Sequence, residues 1–484
     1  MSSAKGIQDI LWKAANRLRG TMDASQYKEF VLGLVFLKFV SDAFAERREL
    51  LGGAEDRARF AGVFWVPVNA RWDHLAANAG GDVGRLLDDA MDAIMRENPA
   101  LSGVLPKIFG RGGVDPAPLR ELVVLISDAS FTGHGERPAQ DLLGEVYEYF
   151  LEKFARAEGK RAGEFYTPAC VVKLLVEVLE PFSGTVYDPC CGSGGMFVQA
   201  ARAHGRDITV HGQEANERTW RLAKMNLAIH GMDPNGLGDR WADTFAEDKQ
   251  PGLAADYILA NPPFNMSEWA RRDDDPRWAY GLPPRSNANF AWLQHMVAKL
   301  AEGGSAGVVL SNGSMSSKLS GEGDIRRRLI EDDLVACMVA LPPNLFRTTA
   351  IPACLWFLSR DKRERRGEIL FIDARGLGTM VDRTERVLTD ADIARIADTY
   401  HSWRSTAYTD VPGFCFSASL DQVAENDHIL TPGRYVGAAS AAADPDAEPV
   451  ADRIARLTKE LFAQFEESAR LEAAVRKQLG KLHD

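Results

Sequence analysis

Apolar residues recur with helical spacing before residue 155 and in short runs after it. In the first region they lie three and four positions apart, as in Ile7 to Leu18, Tyr27 to Phe44 and Asp141 to Phe154. In the second region, short apolar runs alternate with helical stretches, which is typical of an α/β domain. The pattern predicts an all-α N-terminal domain over 1–155 and an α/β catalytic domain over 156–415.

The apolar runs of the second region predict buried strands. They are Thr185 to Tyr187, Ile208 to Glu214, Ala255 to Ala260, Ala306 to Leu310, Val335 to Leu341, Cys354 to Leu358 and Glu368 to Asp373. Helical spacing occurs at Cys170 to Leu179, Met196 to Arg202 and Asn289 to Leu300. Strands and helices therefore alternate through most of this domain.

The chain beyond 415 has a different pattern. Residues 416–437 connect to 438–450, whose Ala, Asp and Pro content is typical of a linker. Over 451–484, apolar residues share a heptad phase that two polar positions interrupt, which predicts one helix with an imperfect coiled-coil seam. This helix can pack on its own core or against a partner helix, and its separation behind the linker favours the partner.

A glycine-rich turn follows the first predicted strand, in the order Asp188-Pro-Cys-Cys-Gly192-Ser193-Gly194-Gly. Its glycines would let a ligand approach the backbone, and the next helix would present free amides, although glycines alone equally fit an ordinary turn. Glu214, about 20 residues further on, ends the next strand and can accept hydrogen bonds from both ribose hydroxyls. Asp188 suits a cationic amino group rather than a pyrophosphate. Together these residues predict a site for S-adenosylmethionine (AdoMet).

A second motif, Asn261-Pro262-Pro263-Phe264, follows another predicted strand and would lie at the carboxyl edge of the sheet. The prolines remove two amide donors and leave the Asn261 side-chain oxygen and the Pro262 carbonyl as acceptors for an exocyclic amino group. Gripping both amino hydrogens favours the pyramidal nitrogen that attacks a methyl group. Phe264 offers a face to a base flipped out of a duplex. The motif predicts adenine methylation, and a rigid proline turn over a buried phenylalanine is the alternative.

With Gly163-Glu-Phe-Tyr166-Thr167-Pro168, these motifs resemble those of class I AdoMet-dependent amino-methyltransferases, specifically the modification subunits of type I restriction-modification systems. The resemblance spans nearly the whole chain, although only its central motifs are specific. It implies a Rossmann-like core with a mostly parallel sheet and one antiparallel strand.

The resemblance also implies roles for individual residues. Tyr166 and Thr167 would lie near the methionine end of AdoMet, in the pocket that Asp188 and Gly192 line. Asp243 would meet the adenine amino group of the cofactor, with Phe245 packing nearby. The target-adenine motif would comprise Asn261, Pro262 and Phe264.

The formal net charge of -11 argues against a chain that binds DNA unaided, since phosphate contacts need a cationic surface. Of the local basic clusters, we expect Arg271 and Arg272 to contact the DNA backbone, and Arg326 to Arg328 and Lys362 to Arg366 to form solvated faces. No segment reads as a target-recognition domain, so specificity is expected in a separate subunit. The resemblance implies two copies of this chain with one specificity subunit on double-stranded DNA, which a restriction subunit can join.

Two alternatives to a DNA enzyme remain from the motifs. The same Asn-Pro-Pro-aromatic arrangement serves amino-methyltransferases that act on RNA or protein glutamine, and a chain of this kind can also be a non-catalytic structural subunit. The long helical N-terminal region argues against the first, and intact Asp188, Glu214, Asn261 and Phe264 argue against the second.

Other features set the expected surroundings of the enzyme. Six cysteines lack the paired spacing of a zinc site or a disulfide framework, so we expect free thiols and no metal. Without an apparent membrane span or secretory segment, the expected location is the cytoplasm.

Met266 to Ala288 is predicted to order only on DNA. Leu341 to Phe346 is either a wall of the base pocket or a plain surface connection.

Overall fold

The computed structural model describes residues 24–56, 60, 62–110, 116–127, 146–150, 167–205, 207–346, 352–405 and 407–438, with isolated positions at 458, 459, 462, 464 and 470. The predicted helix at Ile7 to Leu18, Tyr166, nearly all of the linker and most of the predicted C-terminal helix lie outside these residues.

The described part of the N-terminal region contains helices joined by turns and no strand. Its central helix, α1 (Ala24–Leu50), is buried on every side over residues 30–40, as expected of a helix that other helices surround. Around it lie α2 (Trp72–Asn78), α3 (Val83–Glu97) and α4 (Pro116–Ser127). The described residues thus confirm the predicted all-α region.

One eight-stranded sheet forms the centre of the second region. Its strands are β1 (Gly184–Asp188), β2 (Ile208–Gly212), β3 (Ala255–Ala260), β4 (Leu300–Ser311), β5 (Val335–Ala340), β6 (Ala353–Ser359), β7 (Glu368–Asp373) and β10 (Cys415–Ser419), in the order β10-β7-β5-β6-β4-β3-β1-β2. A separate hairpin pairs β8 (Thr379–Met380) with β9 (Arg386–Val387). All seven strands predicted from apolar runs are present.

Two strands of the sheet run against the others. β6 lies antiparallel between β4 and β5, and β10 lies antiparallel to β7 at the edge. The mostly parallel sheet is confirmed, but the prediction of one antiparallel strand is corrected to two. The second was missed because Cys415–Ser419 is short and half polar, as edge strands often are. Residue 415, the predicted domain end, is therefore the first residue of a strand.

Helices cover both faces of the sheet. They are α5 (Ala169–Leu179), α6 (Gly195–His204), α7 (Glu217–Ile229), α8 (Asn289–Lys299), α9 (Glu322–Glu331), α10 (Asp390–Arg404) and α11 (Leu420–Glu425). α7 contributes Trp220 to the sheet core and Leu222 to the core of the N-terminal helices, so it joins the two regions. Tyr147 strengthens this junction by donating its hydroxyl to the Leu222 carbonyl at 3.4 Å.

The topology gathers the predicted motifs at one edge. β1 to β5 and β7 all run in one direction, so their carboxyl ends meet at that edge. β1 and β3 are direct neighbours, with Tyr187 opposite Ile258, and neighbouring strands lie about 4.8 Å apart. The glycine turn after β1 and the Asn-Pro-Pro-Phe motif after β3 are therefore adjacent.

Candidate active site

Asp188, the last residue of β1, begins the glycine turn as a buried carboxyl group. It is 2% exposed, and its Oδ1 accepts a hydrogen bond from the Cys190 backbone N–H at 2.9 Å. Burial raises its pKa to about 7, with a smaller contribution from the negative charge of Glu214. A cation bound beside it would reverse that shift and hold the carboxylate ionised.

The glycines of the turn leave space for a ligand. Gly192 and Gly194 have φ values of 54° and 77°, which favour glycine, and Gly194 caps the start of α6. A Cβ added at Gly192 or Gly195 would meet nothing within 4 Å. The backbone around Ser193 therefore borders an open cradle at a helix N-terminus.

Glu214 lies directly across from this cradle. Its Oε2 accepts from the Gly192 N–H at 3.1 Å, and its Oε1 accepts from the Asn216 N–H at 2.8 Å. Glu214 thereby joins the glycine turn to the start of α7. The predicted proximity of the glycine turn and this acid is thus present.

Gln213 is a residue that sequence reasoning missed. Its buried side chain donates to the carbonyls of Ala242 and Glu247 at 3.2 and 2.6 Å and accepts from the Lys249 N–H at 3.1 Å. It thereby fixes the loop that carries Asp243. A glutamine at a strand end carries no sequence signal for this role, because its three partners lie 29 to 36 residues away.

Asp243 and Phe245 occupy different surroundings within that loop. Asp243 is half-buried, and its Oδ1 accepts from the N–H groups of Phe245 and Ala246 at 2.8 and 2.9 Å, which closes an Asx turn. Phe245 is 1% exposed and packs against Trp269 and Trp292. The ring of Phe245 belongs to the hydrophobic core, and its packing beside the cofactor stays a prediction.

Asn261 holds an acceptor without a partner. Its Nδ2 donates to the Thr167 hydroxyl at 2.8 Å, which links the segment before α5 to the end of β3. Its Oδ1 is buried and has no hydrogen-bond partner among the described residues. Such an atom costs about 1–3 kcal/mol. An incoming N–H donor would recover that cost.

Phe264 stands at the border of this site, half-buried beside Pro262 and Pro263. Its ring meets the ring of Phe346 edge to face, with centroids 5.9 Å apart. Leu341, Leu345 and Phe346 are all buried. The contact with Phe264 favours the prediction that Leu341 to Phe346 forms a wall of the base pocket over the prediction of a plain surface connection.

Residues 266–288 have a defined, irregular conformation, contrary to the expectation that they order only on DNA. Trp269 donates its indole N–H to the Pro284 carbonyl at 3.1 Å. Arg277 pairs with Asp275 and donates to His295 Nδ1 at 2.9 Å. Burial lowers the pKa of His295 to about 3, so the ring is neutral. Hydrogen bonds and an ion pair that the sequence pattern did not reveal hold this segment.

The arginines and lysines of the basic clusters differ in their exposure to solvent. Arg272 is 64% exposed on its side chain, whereas Arg271 is 14% exposed and pairs with Asp273 at 2.8 Å. Arg326 is 1% exposed and donates to the carbonyls of Ser317 and His428, and Lys362 is buried against Asp333. The solvated-face prediction is therefore wrong for Arg326 and Lys362, which hold loops together.

All six cysteines are free thiols. Among the helices that the structure describes, none combines the length and apolar character needed to cross a membrane.

Comparison with known families decides the class of protein. Residues 138–444, more than half of the chain, match the N-6 DNA Methylase family. The chain belongs to this family. Residues 7–126 match the HsdM N-terminal domain. The methylase is thus a DNA methyltransferase of the adenine-N6 class, and the activity predicted from Asn261 to Phe264 is confirmed at that level.

Individual relatives agree with this assignment. The chain is 49% identical over 445 residues to the type I restriction enzyme HindI methylase subunit of Haemophilus influenzae, across 86% of this chain and 99% of that protein. It is 35% identical over 519 positions to the type I restriction enzyme MjaIX methylase subunit of Methanocaldococcus jannaschii, across 98% of this chain and 91% of that protein. These similarities confirm the resemblance to type I modification subunits.

A solved structure agrees as well. The type I restriction-modification methyltransferase subunit from Streptococcus thermophilus superposes with a TM-score of 0.78 at 28% identity, across 90% of this chain and 100% of that chain. The predicted Rossmann-like methyltransferase core is therefore confirmed.

Proposed function

We propose that this methylase binds AdoMet in the glycine cradle and methylates the N6 atom of an adenine flipped out of duplex DNA. The proposal rests on Asn261 Oδ1, which has no hydrogen-bond partner among the described residues. A buried acceptor at the carboxyl edge of the sheet is what an amino group needs, and buried polar side-chain atoms are rarely left unsatisfied.

The cradle and its acids fit AdoMet. Asp188 would pair with the amino group of the cofactor, Glu214 would accept the ribose hydroxyls, and the turn at 192–194 would border the same pocket. Thr167, with Tyr166, would lie near the methionine end. The second oxygen of Asp243 would accept the adenine amino group. The cofactor supplies an electrophilic methyl group on sulfur, which an amino nitrogen can attack.

The target half would work by holding the amino group. Asn261 Oδ1 and the Pro262 carbonyl accept hydrogen bonds from its two N–H groups. They so favour a pyramidal nitrogen, whose lone pair is no longer delocalised into the ring. As the new bond forms, positive charge develops on the nitrogen, and the same two oxygens stabilise it more strongly in the transition state than in the ground state. Phe264 stacks on the flipped base.

We further propose that a separate specificity subunit selects the DNA site and that two copies of this chain assemble with it in the cytoplasm. The net charge of -11 supports this, because a chain so acidic needs a more basic partner on DNA. A restriction subunit would join the same complex. The segment 451–484 is the proposed partner-binding helix.

The test is transfer of a labelled methyl group from AdoMet to duplex DNA, with the chain alone and with its co-purified partner. The expected result is label on adenine N6 that requires the partner. Labelling of RNA or of protein glutamine instead, with DNA unlabelled in the complete complex, would replace the DNA enzyme by one of the other amino-methyltransferases.

A further inference from the structure

Directly after Phe264, four polar side chains form a cluster that we call the amide clasp: Asn265, Asn287, Asn289 and Ser311. Asn265 Oδ1 accepts from Asn289 Nδ2 at 2.9 Å, from Ser311 Oγ at 3.1 Å and from Asn287 Nδ2 at 3.4 Å. The Asn265 backbone N–H donates in return to Asn289 Oδ1 at 3.0 Å. Both ends of the Asn289 amide are thus engaged by one residue.

The clasp ties a turn to two rigid elements. Asn289 is the first residue of α8 and is 1% exposed, and Ser311 is the buried last residue of β4. Asn265 has a φ of 52°, a conformation that asparagine tolerates better than most residues. The chain therefore adopts a costly backbone conformation at this point, and the clasp stabilises it.

The clasp lies where the two prolines of the motif no longer restrain the backbone. Pro262 and Pro263 fix their own φ angles, but neither restrains the backbone beyond Phe264. Asn265 is the first residue after Phe264 with a fixed partner in the core. The clasp also closes the neck of segment 266–288, where the Ala288 N–H donates to the Met266 carbonyl at 2.9 Å.

We propose that Asn265 and Asn289 are positioning residues that hold Phe264 where the flipped adenine must stack. The inference rests on the proposed function and deepens it. Polar bonds suit this task, because they fix the backbone directly after Phe264 and do not depend on packing against its ring.

An Asn→Asp substitution at either end of the hydrogen bond between Asn289 and Asn265 tests the proposal. Asn265→Asp keeps the acceptor oxygen and tolerates the backbone conformation. Asn289→Asp removes the donor and places a carboxylate oxygen against Asn265 Oδ1. Turnover of both variants is measured in the complete complex on duplex DNA with adenine at the target position, and flipping is measured on a matched duplex that carries 2-aminopurine there. Asn265→Gly, which suits the positive φ but lacks the acceptor, serves as an uncharged second disruption.

At saturating DNA, we expect Asn265→Asp to keep kcat within about three-fold and Asn289→Asp and Asn265→Gly to lower it by at least about ten-fold, as misplaced catalytic groups do. The 2-aminopurine signal of flipping should fall with kcat, while AdoMet affinity stays unchanged. Equal effects of the two Asp variants, or AdoMet affinity that falls in parallel, would overturn the positioning role. A wild-type complex that does not methylate DNA would instead overturn the proposed function.

Discussion

The acids of the cofactor half and the amide of the target-base motif treat their side-chain oxygens in opposite ways. Around the glycine turn, backbone amides already engage Asp188 and both oxygens of Glu214. At the end of the neighbouring strand, Asn261 keeps a buried oxygen with no partner among the described residues. The first half is preorganised by its own backbone, and the second is completed only by its ligand.

The difference reflects what each half must do. A cofactor site binds one invariant molecule, so a rigid cradle lowers the entropic cost of binding. The target half must favour a transition state over a stacked base, and an acceptor that gains its bond only when the amino group arrives does this. We therefore expect substitutions to separate binding from turnover along the boundary between β1 and β3.

The largest effect is expected for Asn261→Ala. Removing one preorganised group that faces developing charge lowers kcat by about 10²–10³-fold, while AdoMet affinity should be retained because the cradle is untouched. Single-turnover methyl transfer and calorimetric AdoMet binding measure the two quantities.

Asn312→Ala is the matched control for this variant. Asn312 follows β4 and also has a buried Oδ1 without a partner among the described residues, but it lies outside the motif. Its loss should leave kcat nearly unchanged. Equal losses in the two variants would mean that an unpartnered amide at this edge has no special role in the transition state.

Gly192→Ala should have the converse effect on the cofactor half. The added Cβ would project into open space in the free protein, so the cost of folding is limited to backbone strain of about 1–2 kcal/mol. AdoMet affinity should fall by about ten-fold or more, because the added alanine methyl group would occupy the cradle.

Gly252→Ala controls for strain. Gly252 has a φ of 76° and equally open surroundings, but it lies outside the glycine turn. It should match the loss of thermal stability and leave AdoMet binding intact. If both variants bind AdoMet as the wild type does, the cradle is not the cofactor site.

Asp188→Asn tests the buried carboxyl through pH. Since the folded pKa is raised from 3.8 to about 7, the native state binds more protons than the unfolded state between these values, and stability falls as pH rises through that window. The Asn variant lacks this loss, so its melting temperature should exceed that of the wild type by a margin that grows from pH 4 to 7 and then stays constant. Parallel profiles would contradict the raised pKa.

The smallest effect is expected for Arg272→Ala. Arg272 would extend the target half of the site toward DNA. Its exposed side chain would neutralise one phosphate, so its loss should reduce the slope of log affinity against log salt by about 0.9. Arg271→Ala should change that slope less, because the Arg271 side chain is largely buried and bonded to Asp273 at 2.8 Å, whereas exposed Arg272 approaches Asp275 only at 3.9 Å. Filter binding of the complex over a salt series distinguishes the two.

Much of the fold and the site could be predicted because local sequence carried the signal. All seven predicted strands are present, and the turn at Gly192 requires a residue that tolerates positive φ. The mobility of segment 266–288 and the solvent exposure of Arg326 were predicted wrongly, since each depends on partners distant in sequence.

By itself, the sequence determined the family, the alternation of strands and helices and the two motifs that meet at one edge of the sheet. The family follows from the resemblance of the motifs, whereas the alternation and the motif positions follow from periodicity and turn chemistry, which act over a few residues. Only the tertiary structure decided that Gln213 fixes the Asp243 loop, that Asn261 keeps an oxygen without a partner among the described residues and that Asn265 is clasped by Asn289. Hydrogen bonds between residues far apart in sequence exist only once the sheet has brought its strand ends together.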